Sequence, residues 1–198
     1  MISSLKIEGG TILYEDRSFE PALKVEISDV TATVNKISLT KSFPFVIEGA
    51  VLSNKKNIKL EGRAQLDLKT NAVMITELKG MTELSDLSLE KIPVSFPMVQ
   101  ADVLPEKLKG KIDVTVNRLT ASPTGLMDLS MDATLSEGEA QLKQLAVPVK
   151  DIKANVKASL SNILIEPITA VIGSGSLRGS GTISDYLAGQ NYDVTLNA

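Results

Sequence analysis

Small or apolar residues alternate with polar ones along most of the chain. The clearest run sets Ile58, Leu60, Gly62, Ala64, Leu66 and Leu68 against Lys59, Glu61, Arg63, Gln65 and Asp67. A period of two sends one set to each face of a strand, so the run predicts a half-buried antiparallel strand. The same alternation recurs in Leu23/Val25/Ile27, Ile112/Val114/Val116, Leu129/Met131/Ala133/Leu135 and Ile152/Ala154/Val156/Ala158/Leu160. It returns in Leu177/Gly179/Gly181/Ile183 and Tyr192/Val194/Leu196. Turn-forming residues punctuate the runs at Gly9-Gly10, Ser53-Asn54, Thr70-Asn71, Ser122-Pro123, Glu137-Gly138, Ser161-Asn162, Gly173-Ser174-Gly175 and Ala188-Gly189. Roughly ten to twelve strands joined mostly by hairpins are predicted.

A longer-range regularity overlies this rhythm. Glu8-Gly9-Gly10-Thr11-Ile12-Leu13 leads through Pro21 to Asp29-Val30-Thr31-Ala32-Thr33-Val34. Glu137-Gly138-Glu139-Ala140-Gln141-Leu142 leads through Pro148 to Asp151-Ile152-Lys153-Ala154-Asn155-Val156. Such self-similarity predicts an architecture grown by repeating one strand-turn-strand unit. Between the copies, residues 92–105 carry Pro93, Pro97 and Pro105 and the one stretch with helical spacing. Pro97 at a first helical position and Pro105 as a stop predict a short helix near 97–104. Because the segment is apolar rather than Gly/Ser-rich, it reads as a plug or connector. It would join repeat-like modules 1–91 and 106–198 within one continuous β-domain. Alternation still runs at Asn191–Ala198, so a further strand of a longer protein is expected to follow.

Composition narrows the partners. Hydrophobic residues make up 43%, yet there are only three Tyr, four Phe and no Trp, so the apolar surface is almost wholly aliphatic. A net charge of −3 argues against nucleic acid, which needs a basic stripe. With no cysteine, neither a disulfide nor a thiolate metal site can form. No apolar run approaches the ~18 residues that span a bilayer. Met1-Ile2-Ser3-Ser4 lacks the charged and apolar regions of a signal peptide, so a cytosolic chain or a piece with its targeting segment elsewhere is expected.

Catalytic chemistry finds no foothold. The absence of histidine removes the commonest general base and most transition-metal sites. Asp128 and Asp132 share a strand face but read as a solvated one, alternating with Leu129 and Met131. The cluster Gly173-Ser174-Gly175-Ser176-Leu177-Arg178-Gly179-Ser180-Gly181 fits no phosphate loop, because alternation continues where a helix would have to open. Its serines have no base partner. Lysines at 55, 56, 107, 109 and 111 read as solubilising charge, with attraction to anionic headgroups as the alternative. No enzyme activity, cofactor or metal is expected.

An apolar sheet face must be covered by a second sheet, by closure into a barrel, or by an apolar ligand. Carbohydrate and nucleobase sites use aromatic platforms, which this chain nearly lacks. Leu, Ile, Val and Ala suit acyl chains, and burying a sixteen-carbon chain supplies on the order of 12 kcal/mol at about 0.8 kcal/mol per methylene, before ordering costs. The same residues equally suit the core of an ordinary sandwich. From the pattern alone both alternatives stand.

Several phrases tip the balance by resemblance. Leu108-Lys109-Gly110-Lys111-Ile112-Asp113-Val114-Thr115-Val116, following Val103-Leu104-Pro105, resembles the strand that opens a module in AsmA-like proteins, the superfamily that includes TamB. Residues 135–142 and 149–156 resemble it too. Ile163-Leu164-Ile165-Glu166, continuing into Ile172 and Gly173 to Ile183, is similar to the family's "apolar strand, G-x-G-x-L-x-G-x-G" ending. Leu5-Lys6-Ile7-Glu8-Gly9-Gly10-Thr11-Ile12-Leu13-Tyr14 resembles its opening strands. The resemblance implies a periplasmic part of a diderm envelope protein, anchored in the inner membrane by a helix outside this chain. It also implies a long bent sheet whose hydrophobic groove carries phospholipid between membranes. The expected fold is therefore mainly β: repeated antiparallel strands forming a twisted, bent sheet, an open trough or half-barrel. The expected groove is lined by Ile58, Leu60, Leu66, Leu68, Ile112, Val114, Val116, Ile152, Val156 and Leu177. The expected partner is phospholipid or another acyl-chain lipid. The competing expectation is a closed β-sandwich serving as a scaffold, secretion or adhesion module.

Overall fold

Each run of alternation becomes a strand, and consecutive strands pair. The computed structural model describes residues 2–17, 20–185 and 191–197; the Ala188-Gly189 turn lies outside the described residues. The strands are β1 (Ile2–Asp16), β2 (Leu23–Ile37), β3 (Phe43–Val51), β4 (Ile58–Asp67), β5 (Ala72–Glu83), β6 (Lys107–Ser122), β7 (Gly125–Gln141), β8 (Val149–Ser159), β9 (Asn162–Ile172), β10 (Gly175–Ser184) and β11 (Asn191–Asn197). They form one antiparallel sheet of eleven strands in sequence order, an open meander with β1 and β11 at its edges. Short turns favour this order, because a hairpin leaves the next strand nowhere to go but alongside its predecessor.

The sheet has no second leaf among the described residues, so the closed sandwich is not formed. Its surface shows the consequence. A globular chain of 21.2 kDa exposes about 9,100 Å²; this one exposes 12525 Å². No large side chain among the described residues is completely buried. Most of the best-packed apolar residues lie within the sheet itself, Val30, Phe43, Phe45, Ala50, Ala72, Val116, Ala140, Val149 and Ala170, and Leu84 just after β5 joins them.

The repeated phrase turns out to encode bulges rather than turns. Gly9-Gly10 lies inside β1 and Glu137-Gly138 inside β7. Ile7↔Ala32 to Gly10↔Val30 takes three steps on β1 and two on β2, and Gly10↔Val30 to Ile12↔Ile27 takes two and three. In β7 and β8, Leu135↔Ala154, Gly138↔Ile152 and Ala140↔Val149 repeat this count. The next strands agree, since Ser28↔Ala50 to Thr31↔Glu48 matches Lys150↔Val171 to Lys153↔Thr169. Each extra residue takes the left-handed conformation a bulge demands: Gly9 at φ 68°, Asp29 at 50°, Glu137 at 53° and Asp151 at 49°. Gly9 therefore corresponds to Glu137, one residue off the alignment that the Glu-Gly letters suggest. The repeat spans β1–β3 and β7–β9, a period of six strands.

Residues 84–106 join β5 to β6 outside the sheet. These two strands nevertheless pair directly from Val73↔Ala121 to Glu83↔Lys111, so the sheet runs unbroken past the connector. The connector holds 3₁₀ turns at Leu84–Asp86, Leu89–Lys91 and Ala101–Val103 and one helical turn, α1 (Ile92–Ser95). The helix thus lies upstream of the expected 97–104. Pro93 sits in its first turn, where a missing N–H costs nothing. Pro97 ends it, because the residue before a proline is pushed from helical geometry and Phe96 stands at φ −123°, ψ 80°. The connector is pinned at one end of the strands. Ser88 N–H donates to the Leu52 carbonyl at 2.7 Å, and Lys91 Nζ donates to the Ser53 carbonyl at 2.9 Å. Lys55 pairs with Asp86 at 2.7 Å.

Candidate apolar binding face

Because paired residues point to the same side, the register assigns every side chain to a face. One row crosses all eleven strands: Ile7, Ala32, Ile47, Leu60, Gly80, Val114, Ala133, Val156, Ile165, Gly181 and Val194. None of the eleven is polar. At ~4.8 Å per strand the row is about 48 Å long. The row one residue away faces the other side: Lys6, Thr33, Val46, Glu61, Lys79, Thr115, Asp132, Lys157, Leu164, Thr182 and Asp193. Only Val46 and Leu164 interrupt its polarity. The sheet is two-faced across its whole width.

Nine of the ten residues expected to line a groove fall on the apolar face. Leu60, Val114 and Val156 belong to the central row. Ile112 lies in the neighbouring row with Leu135 and Ala154, and Val116 in the row with Leu78, Met131 and Ala158. Leu66 pairs with Val73, Ile58 with Gly49, Ile152 with Gly138 and Leu177 with Ala170. Val116 is only 5% exposed and Leu177 40%, so the face is packed in its middle and open near β10.

Leu68 is the exception. β4 stops at Asp67, whose carboxylate accepts the Lys69 N–H at 2.9 Å and the Thr70 hydroxyl at 2.8 Å. That closes the turn and leaves Leu68 on its tip, 59% exposed. The same two bonds, with the Lys69 N–H foremost, hold the Asp67 carboxyl below its ordinary pKa.

Glycines let the apolar face pack sideways. A Cβ at Gly80 would come within 2.5 Å of Leu60 Cδ2, and one at Gly138 within 2.6 Å of Ile152 Cβ. At Gly62 it would stand 3.1 Å from the tip of Phe45, and at Gly179 2.8 Å from Leu196 Cδ2. Leu60, Ile152 and Phe45 thus lean over neighbouring glycines, while Leu196 on the edge strand β11 is still 78% exposed.

Charge is confined to the other side and the rims. Lys59 pairs with Glu61 at 2.5 Å and Lys111 with Asp113 at 3.2 Å, each two residues apart along one strand. Lys59 is raised above its ordinary pKa, first by its hydrogen bond to Glu61 and then by that carboxylate's charge. Lys6 pairs with Glu8 and holds its carboxyl below the ordinary value, again chiefly through the hydrogen bond. The connector also lies over this polar side, where Val94 and Ser95 line a crevice together with Leu13, Glu26, Ser28 and Ala50. It therefore does not plug the apolar face. A crevice of about 300 Å³ among Asp132, Thr134, Asn155, Lys157 and Leu164 opens on the polar side as well.

Two strands of the face, β3 and β9, were invisible to alternation. Phe43-Pro44-Phe45-Val46-Ile47 and Ile163-Leu164-Ile165 are apolar at nearly every position, so period two cannot say that Ile47 and Ile165 face one way and Val46 and Leu164 the other. No group of three or more metal-ligating side chains comes together among the described residues, and no helix there is long and apolar enough to cross a membrane. Comparison with protein-family models, with curated proteins and with solved structures finds no match to this chain.

Proposed function

We propose that this chain is a non-catalytic envelope protein whose apolar sheet face shields or conducts lipid acyl chains. The observation that carries the reading is the unbroken apolar row from Ile7 to Val194, uncovered by any second layer among the described residues. Face area of this kind draws a cover. An aliphatic surface with glycine gaps and no polar group along the row favours a flexible hydrocarbon over a ligand that needs hydrogen bonds. Headgroups would remain in water beside the strand ends. The phrases resembling AsmA-like proteins support the same reading. They add the periplasm as its place, phospholipid as its ligand, and anchorage to the inner membrane by parts outside this chain.

The mechanism is passive. Apolar contact lowers the free energy of an acyl chain equally at each rung, so a chain slides along the row without a specific step. The test is Val114→Glu with Val156→Glu. These residues flank Ala133 on adjoining strands, so two carboxylates would stand about 10 Å apart in the middle of the face. Lipid extracted from the purified variant should fall at least about tenfold against the parent, with the β-sheet circular dichroism retained although both side chains are half-buried. Equal lipid content in the two proteins contradicts the proposal.

A further inference from the structure

The six-strand period shows what the open edge of β1 is shaped to meet. β1 corresponds to β7 at a constant offset, Ile7 to Leu135, Gly10 to Gly138 and Ile12 to Ala140. On its other side β7 is covered by β6, from Lys107↔Gln141 to Ser122↔Gly125. No described residue pairs with the corresponding side of β1. That edge of a 15-residue strand therefore presents backbone N–H and C=O groups without a ladder partner among the described residues. Leu5, Ile7 and Ile12 are exposed along it.

Carrying the β6–β7 register over to β1 gives a specific partner. Val114, Ile112 and Leu108 face Ala133, Leu135 and Ala140. A strand like β6 would set them beside Leu5, Ile7 and Ile12 and carry the apolar face one strand further. On the polar side, Asp113 and Lys111 face Thr134 and Ser136. The same places on β1 hold Lys6 and Glu8, so each charge would meet its opposite across the strands. The bulge fits as well. Lys109↔Glu139 to Lys111↔Ser136 takes two steps on β6 and three on β7. Gly110 lies in that gap at φ 136°, where an added Cβ would come within 3.1 Å of Gly138 Cα. Gly10 stands at the place of Gly138 on β1. The other edge strand, β11, carries a single charged residue, Asp193, and offers no such pair. We propose that the β1 edge is an interaction surface that takes up, antiparallel, an extended segment with the β6 pattern Leu-x-Gly-Lys-Ile-Asp-Val. This strand addition goes beyond the acyl-chain reading of the apolar face and stands or falls separately from it.

The probe is a fluorescein-labelled peptide of residues 107–122, titrated with the purified chain and followed by anisotropy. Saturable binding is expected. Exchanging the peptide's charges, Lys111→Asp with Asp113→Lys, should weaken binding about tenfold. Lys6→Glu with Glu8→Lys in the chain should restore the exchanged peptide and weaken the parent one. Gly110→Val in the peptide should also weaken binding at least about tenfold, because the bulge leaves no room for its side chain. Lys6 and Glu8 are exposed, so circular dichroism of the exchanged chain should match the parent. The register is read by disulfide formation, since the chain has no cysteine of its own. Ile7→Cys in the chain should link to a peptide with Ile112→Cys and not to one with Val116→Cys. Val114→Glu with Val156→Glu in the chain should capture the peptide like the parent, which separates edge pairing from lipid held on the face. Absence of binding, failure of the exchanged chain to restore the exchanged peptide, or equal linking to both cysteine peptides overturns the proposal. So does self-association in sedimentation velocity that excludes the peptide, since a second copy would then be the partner of this edge.

Discussion

At the scale of single residues, the two kinds of glycine in this chain do different work. Gly138 is needed for space: an added Cβ would meet Ile152 Cβ at 2.6 Å and its carbonyl oxygen at 2.7 Å, and the latter is backbone that cannot swing away. Gly138→Ala should destabilise the fold by about 1–3 kcal/mol, measured by denaturant unfolding. Gly9 is needed for conformation, since nothing lies within 4 Å of its missing Cβ while its φ is 68°. Gly9→Ala should therefore cost about 1–2 kcal/mol with no repacking. From sequence, both sites look like hairpin punctuation, because Gly-Gly or Glu-Gly between apolar runs reads as a turn. Leu68 misleads for a related reason. It continues the alternation of β4, and only the hydrogen bonds of Asp67 show that the strand has already ended.

At the scale of elements, alternation found β2, β4, β6, β7, β8, β10 and β11, and the spacing of turns supplied the total number of strands and their hairpin order. What it could not locate were the bulges. A polar residue in the left-handed region, such as Asp29, Glu137 or Asp151, carries no letter that distinguishes it from any other solvent-facing position. Yet these residues preserve the two-faced pattern, because each extra residue restores the phase of the strand beyond it. Asp151 gives a direct test. Asp151→Gly keeps the extra residue and removes the strained Cβ, so its stability should equal or exceed that of the parent. Deleting Asp151 would leave Val149 and Ile152 two residues apart and still on one face, so the alternation survives and only the bulge is lost. The stability of Asp151→Gly is read from the same denaturant unfolding curves. The helical turn was legible only as far as its prolines, three of which fall between 92 and 105. Choosing Pro93 over Pro97 depends on the backbone of Phe96.

At the scale of the molecule, a single layer of eleven strands is an unusual way to use an aliphatic composition, and its dimensions are measurable. A compact chain of this length has a radius of gyration of about 16 Å. A plate about 48 Å across the strands and a comparable length along them has one of about 19 Å. Small-angle scattering should return the larger value, and the smaller one would mean that the sheet folds onto itself in solution. Sequence pattern alone left sandwich and trough equally open, because the inner face of either is aliphatic. The register separates them by gathering Ile7, Leu60, Val114, Val156 and Ile165 into one row with no facing sheet among the described residues. The central claim is that acyl chains cover this row. Its most direct test places a photo-crosslinking amino acid at Val114 or Ile165 on the apolar face, and at Asp132 or Lys157 on the polar face, followed by irradiation in cells and mass analysis. The account predicts lipid adducts at Val114 and Ile165 and none at Asp132 or Lys157. Adducts on neither face, or equally on both, would contradict it.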